Sequence, residues 1–255
     1  MRGVIAFIVG FYSACVVAAP QSRIVGGSTA VINSYPYVAA VLRSSDNVTF
    51  SQVCVGSIIN TRSILTAASC IFKDNSSYWR IRVGSSFANT GGKVHNVQSI
   101  ILHPYFNPGS LDSDIAILRS TKKFEFNNTV QAGVIAGSSY MLNDNQPVWA
   151  VGWGSTYYGG PPSDLLRHVQ IWTVNQQICA SRYKALGYAV TNNMLCSGWL
   201  DVGGRDQCQN DVGGPLIHNN VIVGIASWGY GCGLPTYPGV NTRVSRFTSW
   251  IQANA

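Results

Sequence analysis

Short runs of apolar residues recur along the whole chain, many of them alternating with polar positions. Examples are 53–59, 79–83, 97–102, 115–118, 148–151, 169–174 and 221–228. They are rich in Val, Ile and aromatics, and clusters of Gly, Asn, Pro or Ser separate them. That pattern predicts many short strands joined by turns, an all-β barrel or sandwich. Two segments have helical character. One runs from Asn175 to about Leu186, with Gly187 as its stop. The other spans 245–251, where Ser245 is an N-cap candidate and Phe247, Trp250 and Ile251 share the spacing of one helix face. A softer boundary falls at 127–145, where Gly, Ser and Asn accumulate.

The start of the chain breaks the strand pattern. Arg2 precedes an apolar run over 4–17, and Ala18 and Ala19 precede Pro20. This is the layout of a secretory signal peptide over 1–19, too short for a membrane anchor. Removing it changes the cysteine arithmetic. Of seven cysteines, Cys15 lies in the leader. The even remainder, Cys54, Cys70, Cys179, Cys196, Cys208 and Cys232, implies a disulfide framework in an exported protein whose pairing the spacing leaves open. The formal charge is +7, but the basic residues are scattered and only Lys122 and Lys123 are adjacent. That favours solubility and excludes a nucleic-acid stripe. Asn47, Asn75 and Asn127 begin glycosylation sequons. No cofactor or metal is expected: the histidines are isolated from the cysteines, and the stretch 84–94 carries no carboxylate for calcium.

The most specific signal is Cys208-Gln209-Asn210-Asp211-Val212-Gly213-Gly214-Pro215. It resembles Cys-Gln-Gly-Asp-Ser-Gly-Gly-Pro, the nucleophile loop of the chymotrypsin–trypsin family. Thr66-Ala67-Ala68-Ser69-Cys70 resembles the family's Thr-Ala-Ala-His-Cys, and Asp112-Ser113-Asp114-Ile115-Ala116-Ile117-Leu118 resembles its aspartate motif. Arg23-Ile24-Val25-Gly26-Gly27 is similar to its zymogen cleavage site. The likeness runs from Ile24 to the C-terminus and is strongest to insect digestive trypsins.

The resemblance implies two packed antiparallel β-barrels with a short C-terminal helix, in one domain over 24–255 behind a propeptide over 20–23. It implies the disulfides Cys54–Cys70, Cys179–Cys196 and Cys208–Cys232. It also implies that cleavage after Arg23 frees the Ile24 amine to pair with Asp211. The specificity end of the site is retained in this likeness. Asp206 takes the position of the carboxylate at the pocket base, Ser227, Trp228 and Gly229 form the wall strand, and Gly229 and Gly239 leave room for Arg or Lys.

The bond-breaking end departs from the family. Val212 stands at the nucleophile position and has no oxygen to attack a carbonyl. Ser69 stands at the base position, and Asp114 alone keeps the triad pattern. Asn210 replaces the glycine of the oxyanion hole, and its side chain is expected to crowd the cleft. Asp114 is expected to be held by Ser69, Ser227 or a water. The expectation from these residues is a secreted, monomeric, catalytically inactive homologue, released to the extracellular space or a gut lumen. It would act by binding basic peptides, protease inhibitors or another protease, with no nucleic-acid or membrane partner. The alternatives are an active endopeptidase cleaving after Arg or Lys, and an immune-recognition protein using its outer surface.

Overall fold

The computed structural model describes residues 25–255. The leader, the propeptide, Arg23 and Ile24 lie outside the described residues. In chain order the strands are β1 (Ser28–Thr29), β2 (Val38–Arg43), β3 (Ser51–Ile58), β4 (Ser63–Thr66), β5 (Trp79–Val83), β6 (Lys93–Leu102) and β7 (Ala116–Ser120). They are followed by β8 (Val134–Ile135), β9 (Pro147–Gly152), β10 (Arg167–Thr173), β11 (Met194–Gly198), β12 (Pro215–His218), β13 (Val221–Trp228) and β14 (Gly239–Arg243). The helices are α1 (Ala68–Ile71), α2 (Gln176–Lys184) and α3 (Thr248–Asn254).

Strands β2-β3-β4-β7-β6-β5 close into one antiparallel barrel. The path β10-β11-β14-β13-β12-β9 closes into a second through the β9–β10 pairing, with β1 added along β10 and β8 running parallel to β13. Both closures remove sheet edges. The side-chain period explains which faces turn inward. In β5, Trp79, Ile81 and Val83 are buried while Arg80 and Arg82 alternate with them. In β13, by contrast, every residue from Ile222 to Ser227 is buried. The barrels meet through the loop after Asp211: the Val55 N–H on β3 donates to the Val212 carbonyl at 2.9 Å.

The three disulfides join Cys54 to Cys70, Cys179 to Cys196 and Cys208 to Cys232. Helix α2 begins at an Asn175 cap whose side-chain oxygen accepts from the N–H groups of Gln177 and Ile178, and Gly187 beyond its end has φ +82°. The C-terminal expectation needs correction. Residues Val244–Arg246 form a 3-10 turn, so Ser245 caps nothing, and α3 starts only at Thr248. The Thr248 hydroxyl instead donates to the Ala136 carbonyl at 2.9 Å, tying the helix to the segment between the barrels. A third helix, α1, was not expected, because one turn is too short to show periodicity.

Candidate active site between the barrels

Asp114 lies just ahead of β7 with its side chain fully buried. Its Oδ1 accepts from the Ser69 N–H at 2.7 Å, and its Oδ2 accepts from the Ser69 hydroxyl at 2.8 Å and the Ser227 hydroxyl at 2.5 Å. The N–H groups of Ala68 and Ser69, the first two residues of α1, point at that carboxylate. The Thr242 hydroxyl on β14 fixes the Asp114 carbonyl at 2.6 Å. Burial pushes the Asp114 carboxyl above its usual range, while the two hydroxyls and the α1 backbone pull it back. The Ser69 hydroxyl therefore sits where an imidazole N–H would be received.

Val212 is half-buried and lines the cleft beside Ala226 and Ser227. Among the described residues neither its N–H nor that of Asn210 donates to a protein acceptor. These are the two backbone donors that an oxyanion hole requires. Asn210 adopts φ +71°, the left-handed geometry that Asn tolerates better than most residues. Its side chain does not crowd the cleft, contrary to expectation. The amide nitrogen lies 3.4 Å from the Gln52 carbonyl, and the Gln52 amide donates back to the Asn210 carbonyl at 2.8 Å. The left-handed turn, together with that pairing to β3, takes the side chain toward Gln52.

Asp211 is buried behind this loop. Its oxygens accept from the N–H groups of Gly154 at 2.7 Å and Cys208 at 3.0 Å. A Cβ at Gly152 or Gly154 would collide with the carboxylate, which explains glycine at both positions. Burial raises the Asp211 carboxyl to about 7. Val25, the first described residue, lies against the same region, with its carbonyl accepting from the Asp206 N–H at 3.2 Å.

The neighbouring cavity of about 120 Å³ is lined by the buried Asp206, the half-buried Val212, and Ser227, Trp228, Gly229 and Gly239. The Asp206 oxygens accept from the N–H groups of Gln207 at 2.9 Å and Gly233 at 3.0 Å. Burial raises this carboxyl to about 7, with Asp211 adding to the shift. A Cβ at Gly239 would lie 2.7 Å from Asp206 Oδ1, so only glycine keeps the carboxylate reachable. A Cβ at Gly229 would meet only ordinary contacts of 3.6 Å or more. Gln207 was missed from the sequence although it lines the pocket beside Asp206. The available signal was its position between Asp206 and Cys208.

The histidines are all engaged away from this cleft. His95 packs edge-on to Phe124, and His103 packs against Phe247 and Trp250. His168 bonds the Tyr35 hydroxyl at 2.7 Å, and His218 bonds the Tyr140 hydroxyl at 2.7 Å.

Two closed barrels with a buried aspartate and a carboxylate-lined pocket between them define the serine-protease fold class. The trypsin family model matches residues 24–251, and the chain belongs to the trypsin family. It is 58% identical to "Trypsin CFT-1" of Choristoneura fumiferana over 250 residues, covering 97% of this chain and 98% of that protein. It is 56% identical to "Trypsin, alkaline B" of Manduca sexta over 246 residues, covering 96% of each. It is 52% identical to "Achelase-1" of Lonomia achelous over 236 residues, covering 91% of this chain and all of the relative.

These relatives overturn the expectation of an inactive homologue acting only by binding. Near-full-length proteins more than half identical to this chain are named trypsins, which points to a serine endopeptidase. The earlier expectation rested on three substituted positions, Ser69, Val212 and Asn210, and took their loss of bond-breaking groups as loss of the activity. The pocket and the backbone donors are separate contributors to rate.

Proposed function

We propose that this chain is a secreted trypsin-like serine endopeptidase that acts on peptide bonds following Arg or Lys. The observation that carries this reading is the buried Asp206 carboxylate lining a cavity that Gly239 keeps open. A guanidinium or ammonium entering it would gain charge-assisted hydrogen bonds in a site shielded from water. The free N–H groups of Asn210 and Val212 would polarise the carbonyl that follows the basic residue.

Positions 69 and 212 set the rate of this chemistry. With Ser69 and Val212, transition-state stabilisation comes from substrate binding and the oxyanion donors. In this class of mechanism those contribute about 10³–10⁴-fold over the uncatalysed reaction when triad groups are removed. The reading is therefore a slow endopeptidase with trypsin-like selectivity. Its partners are basic peptides and inhibitors that present Arg or Lys to the pocket.

Secretion is part of the reading and is supported by the apolar leader. Activation after Arg23 is supported by the buried, ammonium-ready Asp211. Glycosylation is supported by the exposure of Asn47, Asn75 and Asn127. The test is turnover of an arginyl amide by protein cleaved after Arg23. Turnover above buffer that benzamidine abolishes supports the reading, and hydrolysis at the buffer rate overturns it.

A further inference from the structure

A second cavity, of about 240 Å³, opens beside the basic pocket. Ser110 and Leu111, from the connection between β6 and β7, form one wall. Tyr188 and Ala189, from the connection between α2 and β11, form the other, and Trp228 is shared with the basic pocket. Its two walls thus belong to different barrels. Something must hold them at a fixed separation.

Asp112 does this. Its Oδ1 accepts from the Thr191 hydroxyl and from the Asn193 amide at 3.3 Å. Its Oδ2 accepts from the same amide at 3.0 Å and from the Ser113 hydroxyl at 3.2 Å. The receiving loop is itself anchored: the Asn193 N–H donates to Thr191 Oγ1 at 3.2 Å, and the Asn193 carbonyl accepts from the Arg243 N–H at 2.8 Å. On the giving side, Leu111 and Ser113 both adopt φ +55°. Left-handed geometry at two non-glycine residues flanking one carboxylate is costly and persists only when the surroundings enforce it. The backbone bonds from Leu111 N–H to the Asn107 carbonyl at 2.8 Å and from Asn107 N–H to the Asp112 carbonyl at 3.0 Å hold this turn locally, and the side-chain bonds of Asp112 tie it to the other barrel.

We infer that Asp112 is a positioning residue that latches the two barrels together and sets the width of the cleft along Trp228, where the residues of an extended peptide lie outside the basic pocket. It touches no reacting atom. It acts through Leu111 on one wall and through the loop of Tyr188 on the other. The inference rests on the proposed peptide-binding reading for its ligand, while the latch itself is a property of the fold.

The test compares two ligands on the full-length activated protein and its Asp112→Ala and Asp112→Asn variants. Benzamidine fills only the basic pocket, whereas an acetylated tetrapeptide ending in arginine amide also lies along Trp228. Hydrogen bonds to a charged group are strong enough that their loss should weaken the tetrapeptide about tenfold or more in Asp112→Ala. Benzamidine affinity should stay within about twofold of the parent. Asp112→Asn, which keeps an acceptor for Thr191, should fall between. Equal weakening of both ligands would mark a general structural role and overturn the latch, as would no change in either.

Hydrogen exchange supplies a readout that needs no ligand. Amides of 109–113 and 187–193 should lose protection together in Asp112→Ala while β5 and β10 keep theirs. If the parent binds neither ligand, the peptide-binding reading fails, and exchange alone judges the latch. Unchanged or one-sided exchange overturns it.

Discussion

The sharpest consequence of the site geometry concerns the pair of changes Ser69→His and Val212→Ser. Asp114 already presents Oδ1 and Oδ2 toward position 69, with bonds of 2.7 and 2.8 Å to the Ser69 backbone and hydroxyl. The Ser227 hydroxyl holds the same carboxylate from the other side at 2.5 Å. An imidazole at position 69 therefore meets a pre-oriented acceptor. At position 212 the carbonyl is fixed by the Val55 N–H, so a hydroxyl there inherits the loop conformation that Val212 now has. In the subtilisin system, a different fold with the same chemistry, losing the serine or the histidine costs about 10⁶ in turnover, and losing both costs little more. At about 1.4 kcal/mol per factor of ten, that is roughly 8 kcal/mol of barrier. The pair should therefore raise kcat on an arginyl amide by about 10⁵–10⁶-fold, while either change alone gives less than about tenfold. Stopped-flow turnover together with fluorophosphonate labelling reads this out. Labelling should appear with Val212→Ser in the paired variant and be absent from the parent. A folded paired variant that gains less than about a hundredfold would show that the frame around Asp114 is not competent and would refute the reasoning.

Two further outcomes follow from the pocket. Gly239→Ala would place a Cβ 2.7 Å from Asp206 Oδ1 and 3.1 Å from the Gln207 amide, so benzamidine affinity should fall at least about a hundredfold in the folded variant; an unchanged Kd in calorimetry would remove Asp206 from the binding site. The Asp206 carboxyl, raised by burial to about 7, must ionise to hold a cation, so the benzamidine Kd should rise about tenfold for each pH unit below 7 and level off above it. The same shift has an opposite sign for the empty protein. The folded state holds a proton that the unfolded chain has already released, so this group's contribution to stability falls as pH rises from about 4 to 7. Denaturant midpoints with and without benzamidine across that window check both signs.

The strand pattern was legible in two ways: burial alternates with a period of two in Trp79–Val83, and Val221–Trp228 is a short run buried on both faces and rich in Val and Ile. Trp79–Val83 and Val221–Trp228 match their predicted runs residue for residue. The longer-range features were not legible. Helix α1 is one turn long, and its first N–H groups converge on Asp114, from another part of the chain. Ser245 has the right residue type for a cap, but the 3-10 turn around it diverts the start of α3. The Asn210 side chain was expected in the cleft because its pairing with Gln52 spans 158 positions. The latch from Asp112 to Thr191 spans 79 positions and leaves no local signature. The candidate chemistry itself was readable from motifs. The error lay in the functional step, where Ser69 and Val212 were given more weight than the near-full-length likeness to proteins named trypsins.

The most direct test is single-enzyme turnover of an arginyl amide, with the matched glutamyl amide as control, by homogeneous protein cleaved after Arg23. The account predicts hydrolysis of the arginyl amide about 10³–10⁴-fold above buffer. That hydrolysis should be abolished by benzamidine and insensitive to fluorophosphonate, because Val212 offers no hydroxyl to modify. Hydrolysis equal to buffer for both amides, or activity that fluorophosphonate removes, would contradict it.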